Sequence, residues 1–344
     1  MNIGIIFNKI IGRNIKMKKI VVFNTWVGSL NTGDKIIMES CKKNIIYSLF
    51  DKYFYTELTT HLNLNVFNFK NLKNSKYSFV CGTNLLQPMS LFAIRNQWKI
   101  GILFLIYLIF NKIDNIILVG VGWGSYKYKK FSFIQKLMMR RLLSKKYIHS
   151  VRDEFTKEKL NEIGIYNVIN TGCVTTWNLN EEHCNQIPIK KSKNVIFTLT
   201  DYNKSYIKDK ELFEILEKNY EKIYFWPQGS GDLEYINKLL KDKNNYKIIA
   251  PNFEKYIEFL EKNDCDYVGT RLHGGIKALQ LSKRSFIIGI DNRALEMKEI
   301  GLPVIKRDTI QELIKYIIND YEIKLNLPTE NIEKWKKQFN QSEL

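Results

Sequence analysis

Histidine is scarce in this chain: four residues among 344, far apart and without an HExxH or similar spacing. That removes the usual zinc signatures. The five cysteines, Cys41, Cys81, Cys173, Cys184 and Cys265, contain no CxxC pair, which suits buried or free thiols in a reducing compartment better than a disulfide frame. There is no GxSxG elbow and no P-loop. The glycine loops do not follow GxGxxG with a helix and a correctly spaced acid, so a nicotinamide site is poorly supported. Long apolar runs are missing too. The longest, Ile100 to Phe110, is about half of what spans a bilayer, so no transmembrane helix is expected. Its first reading is a buried helix and its second a membrane-contacting element. Residues 1–18 hold an apolar patch, Ile3 to Phe7, too short for a signal-peptide core, and read as a variable leader.

Acidic charge is also in deficit. Asp and Glu number 35 against 53 Lys and Arg, a formal net charge of +18. Such a balance favours anionic partners: phosphorylated metabolites, an acidic glycan, nucleic acid or an anionic membrane. No recognised nucleic-acid module occurs, so nucleic acid is not expected as the partner. What the chain does have is 45% hydrophobic residues over a length suited to two domains.

Short β-type runs alternate with helical patterns. Lys19–Asn24, Tyr77–Cys81, Ile116–Val121 and Tyr147–Val151 form one series, with a helix pattern from Lys35 to about Leu49. A polar, lysine-rich stretch at 178–194 follows. The pattern then restarts at Val195–Leu199, Lys222–Trp226, Tyr246–Ile249, Tyr267–Gly269 and Ser285–Ile290, and two helices, 309–321 and 331–339, close the chain. This alternation predicts an α/β fold of two Rossmann-like domains facing a cleft, with parallel sheets, residues 19–180 and 190–344. Ligands then belong at the carboxyl ends of the strands.

The loops at those ends hold the candidate chemistry. Thr270-Arg271-Leu272-His273-Gly274-Gly275 joins a strand to a helix, which makes it an anion site with a proton-transfer group attached. Arg271 either forks onto a ligand anion or pairs with a carboxylate. Asp34, in Asn31-Thr32-Gly33-Asp34, either caps a helix or aims into the cleft. Arg152 either adds a cation or pairs locally with Asp153 or Glu154. Gly82-Thr83-Asn84, the glycine loop Gly120 to Ser125, Gln228 within Trp226 to Asp232, and Arg293 after Asp291 also end strands. The segment 127–146 is an amphipathic basic helix, suited to packing on a sheet or to lying on an anionic membrane.

In order and spacing, Asn31-Thr32-Gly33-Asp34, Gly82-Thr83-Asn84-Leu85-Leu86, Ser150-Val151-Arg152-Asp153, Tyr267 to Gly274 and Ile287 to Asp291 resemble the polysaccharide pyruvyl transferase family over residues 19 to 305. The resemblance implies a fold similar to the GT-B glycosyltransferases. It also implies phosphoenolpyruvate as donor, and as acceptor a sugar of a surface polysaccharide such as a capsule or exopolysaccharide, free or lipid-linked. In this reading His273 is the general acid/base, Arg271 fixes the phosphate or carboxylate, and Asp34 orients or deprotonates the acceptor hydroxyl. Asn31, Gly33, Asn84, Arg152, Gln228, Leu272, Gly274 and Arg293 complete the substrate contacts. No metal or redox cofactor is required. The expected location is cytoplasmic, with a peripheral position on the inner membrane face as an option. Two other readings stay open: a glycosyltransferase using a nucleotide-activated sugar, and a basic membrane- or glycan-binding protein with a dead site.

Overall fold

The computed structural model describes residues 18–86, 102–124 and 131–340. The leader expectation (apart from Lys18), Ser125 of the glycine loop, residues 127–130 of the basic segment and the start of the 100–110 run lie outside the described residues.

In the N-terminal half the order is β1 (Lys19–Asn24), α1 (Gly33–Cys41), β2 (Phe54–Thr59), α2 (Val66–Lys73), β3 (Ser75–Cys81), α3 (Ile102–Phe110), β4 (Ile116–Val119), α4 (Phe133–Leu142), β5 (His149–Val151), α5 (Glu154–Glu162) and β6 (Val168–Asn170). After the short α6 (Glu181–Cys184) come β7 (Asn194–Thr198), α7 (Tyr206–Asn219), β8 (Lys222–Phe225), α8 (Asp232–Leu239), β9 (Tyr246–Ile248) and α9 (Phe253–Lys262). The chain continues through β10 (Asp266–Gly269), α10 (Leu272–Gln280), β11 (Ser285–Gly289), α11 (Asn292–Met297), β12 (Val304–Lys306), α12 (Glu312–Ile318) and α13 (Thr329–Asn340).

The unbroken apolar stretch of β1 marks a strand covered on both faces, and β1 pairs in parallel with β2 on one side and β3 on the other. The sheet order is β2-β1-β3-β4. In the second half the order is β12-β11-β10-β7-β8-β9, all parallel. Each sheet therefore has a switch point where successive crossovers go opposite ways: between β1 and β3, and between β7 and β10. Loops at such points splay apart and leave a crevice for ligands.

β2, β6 and β12 carry no strong sequence signal. The first is a half-exposed edge containing Glu57, and the other two are three residues each, too short for a period to register.

The β5–β6 pair joins the first sheet through side chains as well as the isolated bridge Val121–Val151. His149 Nδ1 accepts the Leu118 N–H at 3.2 Å, its Nε2 lies 2.9 Å from the Ser144 carbonyl, and Ser150 Oγ accepts the Gly120 N–H at 2.8 Å. Burial lowers the His149 pKa to about 4, so the ring is neutral and Nδ1 remains an acceptor. An unfolded histidine titrates near 6.5. The contribution of this contact is complete above that pH and is lost as pH falls toward about 4. Thermal melts between pH 7.5 and 5 should therefore shift down on acidification, with a smaller slope for His149→Gln. An unaltered slope in that variant would assign the effect elsewhere.

Two expectations need correction. The run ending at Phe110 forms α3, but it is not a buried helix: Phe104 and Leu108 are buried while Leu103, Ile106, Ile109 and Phe110 face outward. One face of a single helix is all that the sheet can cover. Residues 190–344 are also not one packing unit. α13 crosses back, and Ile332, Trp335 and Phe339 pack with Ile20, Val22, Phe79 and Ile117 of the first sheet. Trp335 Nε1 donates to the Ile148 carbonyl at 2.7 Å.

Candidate active site between the two halves

Arg271 caps α10 from the β10 end and is 3% exposed. Its Nε donates to Asp232 Oδ2 at 2.9 Å, and Nη2 donates to Asp201 Oδ1 at 2.9 Å and to Asp232 Oδ1. Burial pushes the Asp232 carboxyl up, and Arg271 opposes this. Three backbone N–H groups, those of Asp201, Gln228 and Gly229, also donate to the same carboxylate. With five donors it stays ionised. Through these contacts Arg271 holds the 201 and 228–232 loops together. The carboxylate-pairing alternative is the one the fold adopts.

His273 and Gly274 sit in the first turn of α10, where backbone N–H groups precede the intrahelical ladder. His273 Nε2 lies 3.9 Å from Cys173 Sγ of the other half. Burial, then Arg293 and Arg152, lower the His273 pKa to about 3, so the imidazole is neutral in the free protein. Gly274 is required sterically: a Cβ there would stand 2.9 Å from Gln228 Oε1. Leu272 is half-buried and packs against the second-half core.

The first switch point meets this loop directly. Asn31 Oδ1 accepts from the Gly33 N–H at 3.0 Å and from Gln228 Nε2 at 2.8 Å. The Thr32 N–H donates to the Gln228 carbonyl and the Ser230 N–H to the Leu30 carbonyl. Asn31 and Gln228 therefore form a strap between the halves, and a Cβ on Gly33 would lie 2.7 Å from Gln228 Nε2. The Gln228 Oε1 atom, buried near the start of α10, has no hydrogen-bond partner among the described residues.

Asp34 is not the helix cap, because Thr32 occupies that position. Its carboxylate accepts the Ser29 hydroxyl at 2.5 Å. Burial raises its pKa, opposed by Ser29, His61, Arg293 and Arg271. Asp34 is thus within electrostatic reach of Arg293 and Arg271 of the second half.

Two cations line the interdomain cavity, which measures about 410 Å³. The Arg152 side chain is 7% exposed and its Nε lies 3.5 Å from Asp153 Oδ2. That local pair was one of the two readings open for it, yet Nη2 has no hydrogen-bond partner among the described residues. Gly122 permits the packing, since a Cβ there would approach Nη2 to 2.5 Å. Across the cavity, Arg293 Nε donates to Asp291 Oδ2 at 3.0 Å and Nη2 to the Tyr202 hydroxyl at 2.9 Å. Against burial, Tyr202 and Asp291 hold the Arg293 pKa up, and Arg293 holds Asp291 down. Both groups are charged. Asn84, in a loop with left-handed Gly82 (φ 57°) and Thr83 (φ 64°), also has a buried Oδ1 without a hydrogen-bond partner among the described residues.

The fold therefore places Arg152 and Arg293 on one cavity, sets His273 within their electrostatic reach and Asp34 within that of Arg293 and Arg271, and ties the two halves together nearby through Asn31 and Gln228. Asp201, Tyr202, Asp232, Ser29, His61 and Cys173 join the site without having been singled out from the sequence. Asp201 and Tyr202 follow β7, the first strand of the second series, and the rule that strand ends carry ligands was the signal for them.

The polysaccharide pyruvyl transferase family model matches residues 31–292. No curated protein matches the chain. Among solved structures, UDP-GlcNAc 2-epimerase from Methanocaldococcus jannaschii in complex with UDP-GlcNAc and UDP is 14% identical, with TM-score 0.53, covering 94% of this chain and 98% of its own. S. aureus MnaA in a co-structure with UDP is 13% identical, with TM-score 0.52, over 94% and 97%. These similarities concern the fold, two Rossmann-like halves in the GT-B arrangement.

Proposed function

The chain belongs to the polysaccharide pyruvyl transferase family, and from that premise we propose that it moves the pyruvyl group of phosphoenolpyruvate onto two hydroxyls of a saccharide, forming a ketal. The acceptor is a sugar of a surface polysaccharide or of its lipid-linked precursor. The observation that carries this reading is that Arg152 and Arg293 line one cavity, with Asp153, Glu154, Glu296 and Glu299 on its wall, and both act electrostatically on His273. A donor with a phosphate and a carboxylate needs two cations, and Arg152 Nη2 has an unused donor.

The chemistry balances as follows. A proton adds to the methylene carbon of the donor, and the first sugar oxygen bonds to the central carbon as its own proton leaves. The carbon–oxygen bond to phosphate then breaks, the second sugar oxygen bonds to the same carbon, and hydrogen phosphate departs with the remaining proton. His273 is the group that exchanges protons with the donor carbon, and Asp34 takes one from an acceptor hydroxyl. The arginines hold the donor anion and stabilise the phosphate as it leaves. Arg293 and Arg152 add to the burial that keeps His273 neutral, so a polyanion bound between them offsets their repulsion and raises the pKa of the ring.

Phosphate release from phosphoenolpyruvate, dependent on a saccharide acceptor, tests the proposal. The rival reading is a glycosyltransferase with a nucleotide-activated sugar, since the similar solved structures are named as holding UDP or UDP-GlcNAc. Stabilisation of the melt by nucleotide sugars and not by phosphoenolpyruvate would favour the rival. For Asp34, the raised carboxyl pKa predicts that turnover declines on acidification with a midpoint above the usual 3.8. Asp34→Asn should lower kcat about a hundredfold or more and remove that limb. If the limb persists, the base is another group.

A further inference from the structure

The charge of this chain is segregated. Between residues 61 and 151 the sequence holds fourteen Lys and Arg and a single acid, Asp114, so this stretch supplies most of the formal excess. In the fold the stretch includes the helical layer α2, α3 and α4, which packs through Phe69, Leu72, Phe104, Leu108, Met138 and Leu142 on one face of the first sheet. The other face is covered by α1 and α13, and α1 is the helix that meets the second half. The basic layer thus faces away from the partner domain.

Its outer surface is not that of an ordinary soluble helix layer. Phe67 is 84% exposed, Leu103 70%, and Phe110 and Phe133 80% each, with Ile106 exposed beside them. α3 has no polar side chain other than the Tyr107 hydroxyl on any face. Its neighbours hold it in place: Phe69 packs edge-on against Tyr107 at 4.3 Å, and Arg141 of α4 donates to the Leu108 carbonyl at 3.2 Å. Single exposed apolar residues are common, but several large ones on adjoining helices form a patch that water does not favour. Lys70, Lys73, Lys112 and Arg140 are exposed on the same helices and the turn after α3. Aromatic and aliphatic groups flanked by cations match an interface whose headgroups are anionic and whose interior is hydrocarbon.

We propose that the α2–α4 face docks on an anionic lipid bilayer, with α3 set in the interfacial plane and the surrounding cations on the headgroups. Among the described residues no helix is long and apolar enough to cross a membrane, so the contact lies on the surface. The exposed apolar groups favour a bilayer over a nucleic acid, for which cations alone would serve. Leu62, also exposed, extends the patch toward the cleft, because the loop at 59–61 contacts the Asp34 loop: Thr59 Oγ1 donates to the Val27 carbonyl at 2.6 Å. A lipid-linked acceptor would then reach the site from the bilayer, a consequence that rests on the proposed reaction. The docking itself does not.

Flotation of the full chain with vesicles tests it without donor or acceptor. The protein is expected to float with vesicles of phosphatidylglycerol in phosphatidylcholine, to float poorly with phosphatidylcholine alone, and to release partly in high salt. Ile106→Ser/Phe110→Ser, at exposed positions, should bind at least tenfold more weakly with an unaltered melt. Lys70→Glu/Lys73→Glu should also bind more weakly. No flotation, or flotation that both variants retain, overturns the proposal. So does equal binding of the native and serine variants to single-stranded DNA and to vesicles, which would describe a surface for any polyanion.

Discussion

Replacing Arg271 with methionine is expected to destabilise the second half by about 3–5 kcal/mol, the range found when one partner of a buried ion pair is removed. The reason lies in what the guanidinium leaves behind. Asp232 is fully buried and Asp201 is about one-third exposed, so the Asp232 carboxylate loses its cationic partner in a place water does not reach. The backbone N–H groups of Asp201, Gln228 and Gly229 remain on Asp232, which limits the damage but does not cancel a charge. Equilibrium urea unfolding followed by tryptophan fluorescence, in which Trp226 reports on this half, measures the effect. Arg271→Met/Asp232→Asn should recover part of the loss, because the amide leaves no buried charge and its oxygen still accepts from the backbone N–H groups. A different outcome would restore Arg271 to the donor: an unaltered unfolding midpoint with abolished binding of phosphoenolpyruvate.

Replacing His273 with alanine is expected to lower kcat by about 10²–10⁴, the usual contribution of a positioned acid or base, with little effect on the melt at neutral pH. The pH dependence separates this from a packing defect. In the free protein the His273 pKa is lowered to about 3 by burial and by Arg293 and Arg152, against about 6.5 when unfolded. Charging the buried ring costs stability, a cost that is absent above about 6.5 and grows as pH falls toward about 3. His273→Ala should therefore lose less stability than the native chain when taken from pH 7 to pH 5. In the native protein, the His273 ring resonance should stay constant between pH 5 and 8, then titrate at higher pH once phosphoenolpyruvate is added. Undiminished turnover in the variant, or a ring that ignores the donor, would exclude His273 from proton transfer.

The strands most readable in the sequence were those whose apolar residues run without interruption. Lys19–Asn24 and the Ile116 run became β1 and β4 because burial on both faces leaves no position for a polar side chain. β2 was not readable, since an edge strand that carries Glu57 and is only half-covered needs no such pattern. The segment after β12 misled for another reason. α13 has an amphipathic stripe, but a stripe does not say which sheet it will cover, and Trp335 went to the first.

The loops at the strand ends, with Asn31, Asp34, Arg152, Arg271, His273 and Arg293, were determined by the sequence alone, because alternating apolar strands and helices oblige the polar connections to gather at the carboxyl ends. Their roles were decided only by the tertiary structure. A cation binds a ligand if its neighbours leave a donor unpaired, and those neighbours come from far along the chain. Arg271 meets Asp232 and Asp201, 39 and 70 residues away, and becomes part of the frame, while Arg152 keeps Nη2 unpaired beside the cavity.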